Sequence, residues 1–345
     1  MDKLIYMDNA ATTSTAPEVV SAMLPFFTEY YGNPSSVYNF AQKSKMAIED
    51  AREIIADSIG AAKSNEIYFT GGGSESDNWA LKSAAFGLRN KGNHIITTKI
   101  EHHAILNTCA YLEKNGFEIT YLDVDSEGFV SLEDVENAIT EKTILISVMF
   151  ANNEIGTIEP VCEIGEIAHK HGILFHTDAV QAMCHVPINV TEMNIDLLSA
   201  SAHKFHGPKG VGFMYMKNSA KLEPFIHGGA QERARRAGTS NVPGIVGMGQ
   251  AVKLALSTLD KDTHTIINMR NYIVDRILGE IPDVTFDGPC IDANAVSAGS
   301  PAGSLKRLPS NMHFCFKDVS GDSLLIMLDM NGICASSGSA CAAGS

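Results

Sequence analysis

Long apolar runs are missing from this chain. Mean hydropathy is +0.01, and no stretch reads as a bilayer-spanning segment. Positive charge is also scarce: 26 Lys and Arg against 40 Asp and Glu leave a net charge of −14, which argues against a nucleic-acid surface. The one basic cluster, Arg233-Ala234-Arg235-Arg236, suits a phosphate or subunit contact better. The 7 cysteines form no C-x-x-C pair and no zinc spacing, and an odd count fits reduced thiols. No metal site is therefore expected. The opening residues Met1–Asp8 lack the basic and apolar regions of a signal peptide, so a cytoplasmic protein is expected. Internal repeats, coiled-coil heptads and low-complexity tracts are absent as well.

What is present is a core. A hydrophobic content of 45% over 345 residues supports two domains. Between Glu66 and Lys217, β-rich runs (Glu66–Thr70, His94–Thr98, Glu118–Leu122, Thr143–Met149, Ile173–Asp178, Ile195–Ala202, Gly210–Met216) alternate with helical stretches (Glu75–Leu88, Ala104–Asn115, Ser131–Ile139, Val161–His171). That alternation predicts an α/β fold with a mainly parallel, doubly covered sheet, whose ligands collect at the carboxyl ends of strands. A long helix is expected from about Gly244 to Ile281. Beyond it, Val284–Phe286, Met312–Phe316, Leu324–Met330 and Ile333–Ser336 read as a smaller α+β domain, with Asp292–Leu308 as a loop. The expected division is an N-terminal segment (1–15), a large domain (16–250) and a small one (251–345).

The chemistry is concentrated at strand ends. Lys204 lies in Ser201-Ala202-His203-Lys204, at the mouth of a buried strand, and Asp178 ends another. A lysine that can hold an aldehyde as a Schiff base and an acid that can pair a pyridinium nitrogen are what pyridoxal 5′-phosphate (PLP) requires of a protein. Taken alone, either residue could be an ordinary surface charge. Thr70-Gly71-Gly72-Gly73-Ser74 leads from a strand into a helix, a phosphate cradle by physics, although a plain capped turn would read similarly. It lacks the lysine of a P-loop and the spacing of a dinucleotide fingerprint, which disfavours a nicotinamide enzyme. In Glu101-His102-His103, at most one imidazole should face the site, and a helix-capping turn is the bland alternative. The same balance holds for Asn152-Asn153, a turn former that could offer one amide, and for Gln181, which could touch a ring or cap a helix. Cys109, Cys162 and Cys334 read as packing and Cys315 as a strand residue. Cys341, among small residues in Ser336–Ser345, reads as an accessible thiol or a frayed terminus.

These segments, with Tyr6–Thr13, Gly32–Ser36, Arg236-Ala237-Gly238-Thr239 and Ser336-Ser337-Gly338-Ser339-Ala340-Cys341, occur in one order along essentially the whole chain. In that order the sequence resembles the cysteine desulfurases of the class V aminotransferase family, PLP enzymes of fold type I, and among them the group serving iron–sulfur and nitrogenase cluster assembly. The resemblance implies that Lys204 holds PLP and moves the Cα proton, Asp178 pairs the ring nitrogen, and His102 stacks on the ring. It implies that Gln181 and Asn153 contact cofactor or substrate. Gly73, Ser74, Ser201 and His203 would bind the phosphate, and Thr239 would reach the phosphate site of the other subunit of a homodimer. Cys341 would take sulfur from L-cysteine as a persulfide, release L-alanine, and pass sulfur to an acceptor such as an iron–sulfur cluster scaffold. It would also be the one candidate iron–sulfur ligand. No nucleic-acid or membrane partner is expected.

Chains of that family continue past the cysteine loop and carry an Arg for the substrate carboxylate within an Arg-Phe-Ser-like motif. This sequence has no such motif and stops at Ser345. An incomplete small domain and weakened cysteine binding are therefore expected. The alternatives are a selenocysteine lyase or another class V PLP aminotransferase, and a non-catalytic PLP-fold protein that binds a scaffold. The Ser-Ser-Gly-Ser-Ala-Cys loop favours the desulfurase.

Overall fold

The computed structural model describes residues 4–220, 222–290 and 305–338. Its strands are β1 (Ile5–Tyr6), β2 (Ile67–Thr70), β3 (His94–Thr98), β4 (Glu118–Leu122), β5 (Thr143–Ser147), β6 (Leu174–Asp178), β7 (Leu197–Ser201), β8 (Gly212–Met216), β9 (Val284–Phe286), β10 (Phe314–Phe316) and β11 (Ile333–Cys334). The helices are α1 (Pro17–Met23), α2 (Pro25–Thr28), α3 (Asn39–Ser58), α4 (Gly73–Gly87), α5 (His103–Glu113), α6 (Leu132–Asn137), α7 (Val161–Lys170), α8 (Gln231–Ala234), α9 (Val242–Glu280) and α10 (Gly321–Met330).

Seven strands form the central sheet in the order β2-β8-β7-β6-β5-β3-β4. The fold is α/β with a mainly parallel sheet. β3 to β7 pair in parallel, and β8 runs antiparallel to both β2 and β7. Strands with both faces covered read as unbroken apolar runs, and their alternate residues enter two cores. Ile95, Leu145, Leu197 and Met214 face the layer of α4 and α5. Ile96, Ile146, Leu198 and Phe213 face the opposite one, with Ile48 and Ile55 of α3 and Val252 of α9.

Three helices ahead of the sheet, α1 to α3, were not read from the sequence. α3 buries Ala41, Ser44, Ile48, Ala51, Arg52, Ile55 and Ala56, a stripe at helical spacing. α9 is long and apolar enough, by length and composition, to cross a membrane. However, its first third buries Val242, Ile245, Met248 and Val252 in the core, so its apolar character serves packing. It also runs unbroken through residues 250 and 251, where the two larger domains were expected to meet.

The small C-terminal part is α+β. β9 and β10 form an antiparallel pair, and α10 leads into β11. β11 pairs in parallel with β1, with Tyr6 opposite Cys334. The N-terminal strand thus lies beside the segment that leads to the cysteine loop. Of the expected loop Asp292–Leu308, only Leu305–Leu308 falls among the described residues.

Candidate active site

The carboxyl ends of β2, β3, β5, β6 and β7 open onto one cavity of about 190 Å³. Its lining includes Gly73, Ser74, His102, Asn153, Asp178, Gln181, Ser201, His203 and Lys204. Sequence reasoning had named all nine. Thr239 lies elsewhere in this chain and is exposed. Cys341 falls outside the described residues, although Ser336 and Gly338 of its loop line the cavity.

The glycine turn after β2 has the geometry of a cradle. Gly72 has φ +149°, a conformation that side chains other than hydrogen rarely adopt. A Cβ on Gly73 would meet Val180 Cγ2 at 2.6 Å. The turn delivers the N-terminus of the 15-residue helix α4 to the cavity, a favourable place for an anion. Opposite it, His203 Nδ1 bonds the Thr12 hydroxyl at 3.1 Å. Burial, and then the charges of Lys204 and Lys209, hold its pKa down at about 4. The ring is therefore neutral near pH 7. In the tautomer whose Nδ1 accepts from Thr12, Nε2 carries the proton and can donate to an anion.

Lys204 projects from the short 3-10 turn after β7. Its Nζ donates to the carbonyl of Ala10 and, at 2.9 Å, to that of Ala11. Gln181 Nε2 donates to the same Ala10 carbonyl at 3.0 Å. The segment after β1 thus closes one side of the cavity, fixed there by Thr13, whose N–H reaches the His203 carbonyl at 2.9 Å.

His102 caps a helix and also lines the cavity. Its Nδ1 accepts the Ala104 N–H at 3.1 Å and caps α5, while the ring lines the cavity. Burial lowers its pKa, so the neutral form with the proton on Nε2 is favoured. His103 points to solvent. Asn152 follows the turn reading: its Oδ1 takes the N–H groups of Glu154 and Ile155, both at 2.9 Å. That structure leaves Asn153 at the cavity.

Asp178 Oδ1 accepts the Val180 N–H at 2.9 Å. Burial raises its pKa, and that N–H and Lys204 offset only part of the rise. Three buried groups near the cavity floor escaped the sequence reading. Asp77 sits inside α4, and its Oδ1 has no hydrogen-bond partner among the described residues. Glu101 Oε1 accepts from Met149 N–H at 2.8 Å and from the Thr98 hydroxyl at 3.0 Å, and burial pushes its pKa well up. His176 is held between the hydroxyls of Ser147 and Ser199 at 2.9 and 3.1 Å. Only His176 left a signal, as a polar residue inside strand β6.

A planar phosphorylated aldehyde fits what is present. The cradle and the His203 Nε2 proton suit its phosphate, Lys204 its aldehyde and Asp178 its ring nitrogen. The profile of the aminotransferase class V family matches residues 5–345. The chain belongs to that family. A cysteine desulfurase IscS of Clostridium botulinum (strain Hall) is 56% identical over 345 residues, covering 100% of this chain and 84% of that protein. A solved NifS-like protein superposes with a TM-score of 0.90 at 38% identity, over 97% of this chain and 87% of its own. A structure of SspA in complex with cysteine gives 0.81 at 38% identity, over 98% and 90%. Within the family, PLP is the cofactor implied for this cavity.

Proposed function

We propose that this chain is a PLP-dependent cysteine desulfurase that takes the sulfur of L-cysteine as a persulfide on Cys341 and releases L-alanine. The observation that carries this reading is the convergence of Lys204, Asp178 and His102 on one cavity beside the Gly72–Ser74 cradle. Similarity to desulfurases over the whole chain supports it.

The residues would hold the cofactor as follows. Gly73 N–H, the Ser74 and Ser201 hydroxyls and His203 Nε2 bind the phosphate. Asp178 would accept from the ring N–H, Lys204 Nζ would hold the aldehyde carbon in the resting site, and Gln181 and Asn153 would donate to oxygens of ring and substrate. His102 covers the ring face. Bound there, PLP supplies a sink for the electron pair left when the substrate loses its Cα proton. Once the substrate amine has replaced it on the aldehyde carbon, Lys204 Nζ would be free to take that proton, and the neutral His102 is placed to exchange another. The Cys341 sulfur then attacks the substrate sulfur, the S–Cβ bond breaks, and its electron pair stays with the carbon fragment that becomes alanine. An acceptor thiolate then takes the outer sulfur as the S–S bond breaks and the Cys341 thiolate is released, with an iron–sulfur cluster scaffold as the partner class. We further propose a homodimer in which Thr239 serves the partner's phosphate site, and a cytoplasmic location.

The test is mass spectrometry of the full chain after PLP and L-cysteine are added. One extra sulfur on the Cys341 peptide, with alanine formed, is expected. Cys341→Ala should abolish the persulfide and leave PLP bound. Sulfide release unchanged in that variant would refute the assignment.

A further inference from the structure

Asp77 has no place in the reading above, yet it lines the same cavity. It is 1% exposed, against 6% for Asp178. An oxygen of Asp77, one of Asp178 and a ring nitrogen of His102 all lie within 4.8 Å of one another. Two carboxylates this close and this buried disfavour each other's ionised form, which favours a proton on one of them.

The surroundings of the two carboxyls differ. Asp178 has a backbone N–H from Val180 and the favourable charge of Lys204. Asp77 has the Ser199 hydroxyl, whose effect is outweighed by burial and by Asp178. Its nearest base, His176 Nε2, is 3.8 Å away, beyond hydrogen-bond reach. That ring is neutral, since burial lowers its pKa to about 3, so it brings no countercharge. The other titratable groups that face Asp77 are Glu101 and His102 ahead of α5, with Lys204 after β7 across the cavity. Glu101 repels a charge on Asp77. Glu75, on the same helix, is paired with Arg236 at 2.7 Å.

We propose that Asp77 is a positioning residue that keeps the proton of a two-carboxyl floor and so confines the floor's negative charge to Asp178, the group that meets the pyridine nitrogen. This rests on the PLP reading and deepens it. One acidic residue is then a neutral acid, and the other is the anion. The floor then carries a single charge, matched to a single pyridinium.

The experiment uses PLP-loaded full-length protein with ¹³C at the aspartate side-chain carboxyls, so that glutamates are silent in infrared difference spectra. A protonated aspartic acid C=O stretch is expected at neutral pH, and it should vanish in Asp77→Asn. PLP titration of the apoprotein supplies a second readout. Asp178→Asn should weaken binding at least about tenfold more than Asp77→Asn, because only the first removes a charge-assisted hydrogen bond. The wild-type band needs no variant, so a misfolded substitution does not shelter the proposal. Absence of the band, its survival in Asp77→Asn, or equal losses of PLP affinity would each overturn it. Failure of the wild type to bind PLP would instead overturn the cofactor reading beneath it.

Discussion

Glu159 shows what one buried carboxyl does to the whole chain. It is 3% exposed. Oε2 accepts the Val130 N–H at 3.0 Å, and Oε1 is without a partner among the described residues. Burial raises its pKa from 4.5 to about 7. Between those values the folded chain holds a proton that the unfolded chain has lost. The stability this group contributes is therefore complete below pH 4.5 and declines as the pH rises to about 7. Glu159→Gln keeps the acceptor and removes the titration. We expect the wild type to lose up to about 3 kcal/mol relative to that variant between about pH 5 and pH 8. Urea denaturation at the two pH values measures it, and parallel pH profiles for the two proteins would contradict it. His176 works in the opposite sense. Its folded pKa of about 3 favours the neutral ring, so its contribution is present above 6.5 and is lost as the pH falls toward 3.

The pairing of β1 with β11 has a consequence for the cysteine loop. Met7 N–H donates to the Cys334 carbonyl at 2.9 Å, and the Ser336 hydroxyl reaches Asp8 Oδ1 at 2.6 Å. Four residues on, the same N-terminal segment offers its Ala11 carbonyl to Lys204. One short stretch therefore sets the base of the loop against the lysine. Asp8→Ala should slow persulfide formation about fivefold, the equivalent of one hydrogen bond, with PLP affinity held within about twofold. Stopped-flow trapping of the persulfide separates the two readouts, and an unchanged rate would dismiss the coupling. Little of this was legible beforehand. A two-residue strand has no periodicity to read, and pairing across more than 300 positions leaves no local mark. The seven sheet strands were legible because each is a short β-rich run, five of them fully buried. The antiparallel direction of β8 was not, because side-chain alternation is the same in either direction. Lys204, Asp178 and the glycine turn stood out where polar residues end apolar strands. Asp77 was hidden by its helix, whose phase relative to the cavity only the fold supplies.

Thr239 follows a segment held in costly backbone. Glu232, Arg233 and Ala234 have φ of +43°, +58° and +59°, a left-handed run that costs about 1–2 kcal/mol per residue. The surroundings hold it. Glu232 pairs with buried Arg52 at 2.7 Å and accepts the Phe69 N–H at 3.2 Å. Arg233 lies over the Tyr68 ring at 4.3 Å. A segment fixed at that expense presents Thr239 in one position to whatever meets it. The surface also carries an unusual density of exposed apolar side chains between residues 24 and 46. Val37 is 95% exposed, Tyr31 70%, and Leu24 and Phe27 58% each. Such a patch is a mark of association. If a second copy covers it, and if that copy's Thr239 completes the phosphate site, then assembly and cofactor affinity must fall together. Sedimentation should give a mass of two chains. Phe27→Glu combined with Val37→Glu should yield monomers that bind PLP about tenfold more weakly, the worth of one charge-assisted contact. Thr239→Val should weaken PLP while leaving the dimer intact. A monomeric wild type, or a charged double variant that binds PLP as the wild type does, would reject the shared site.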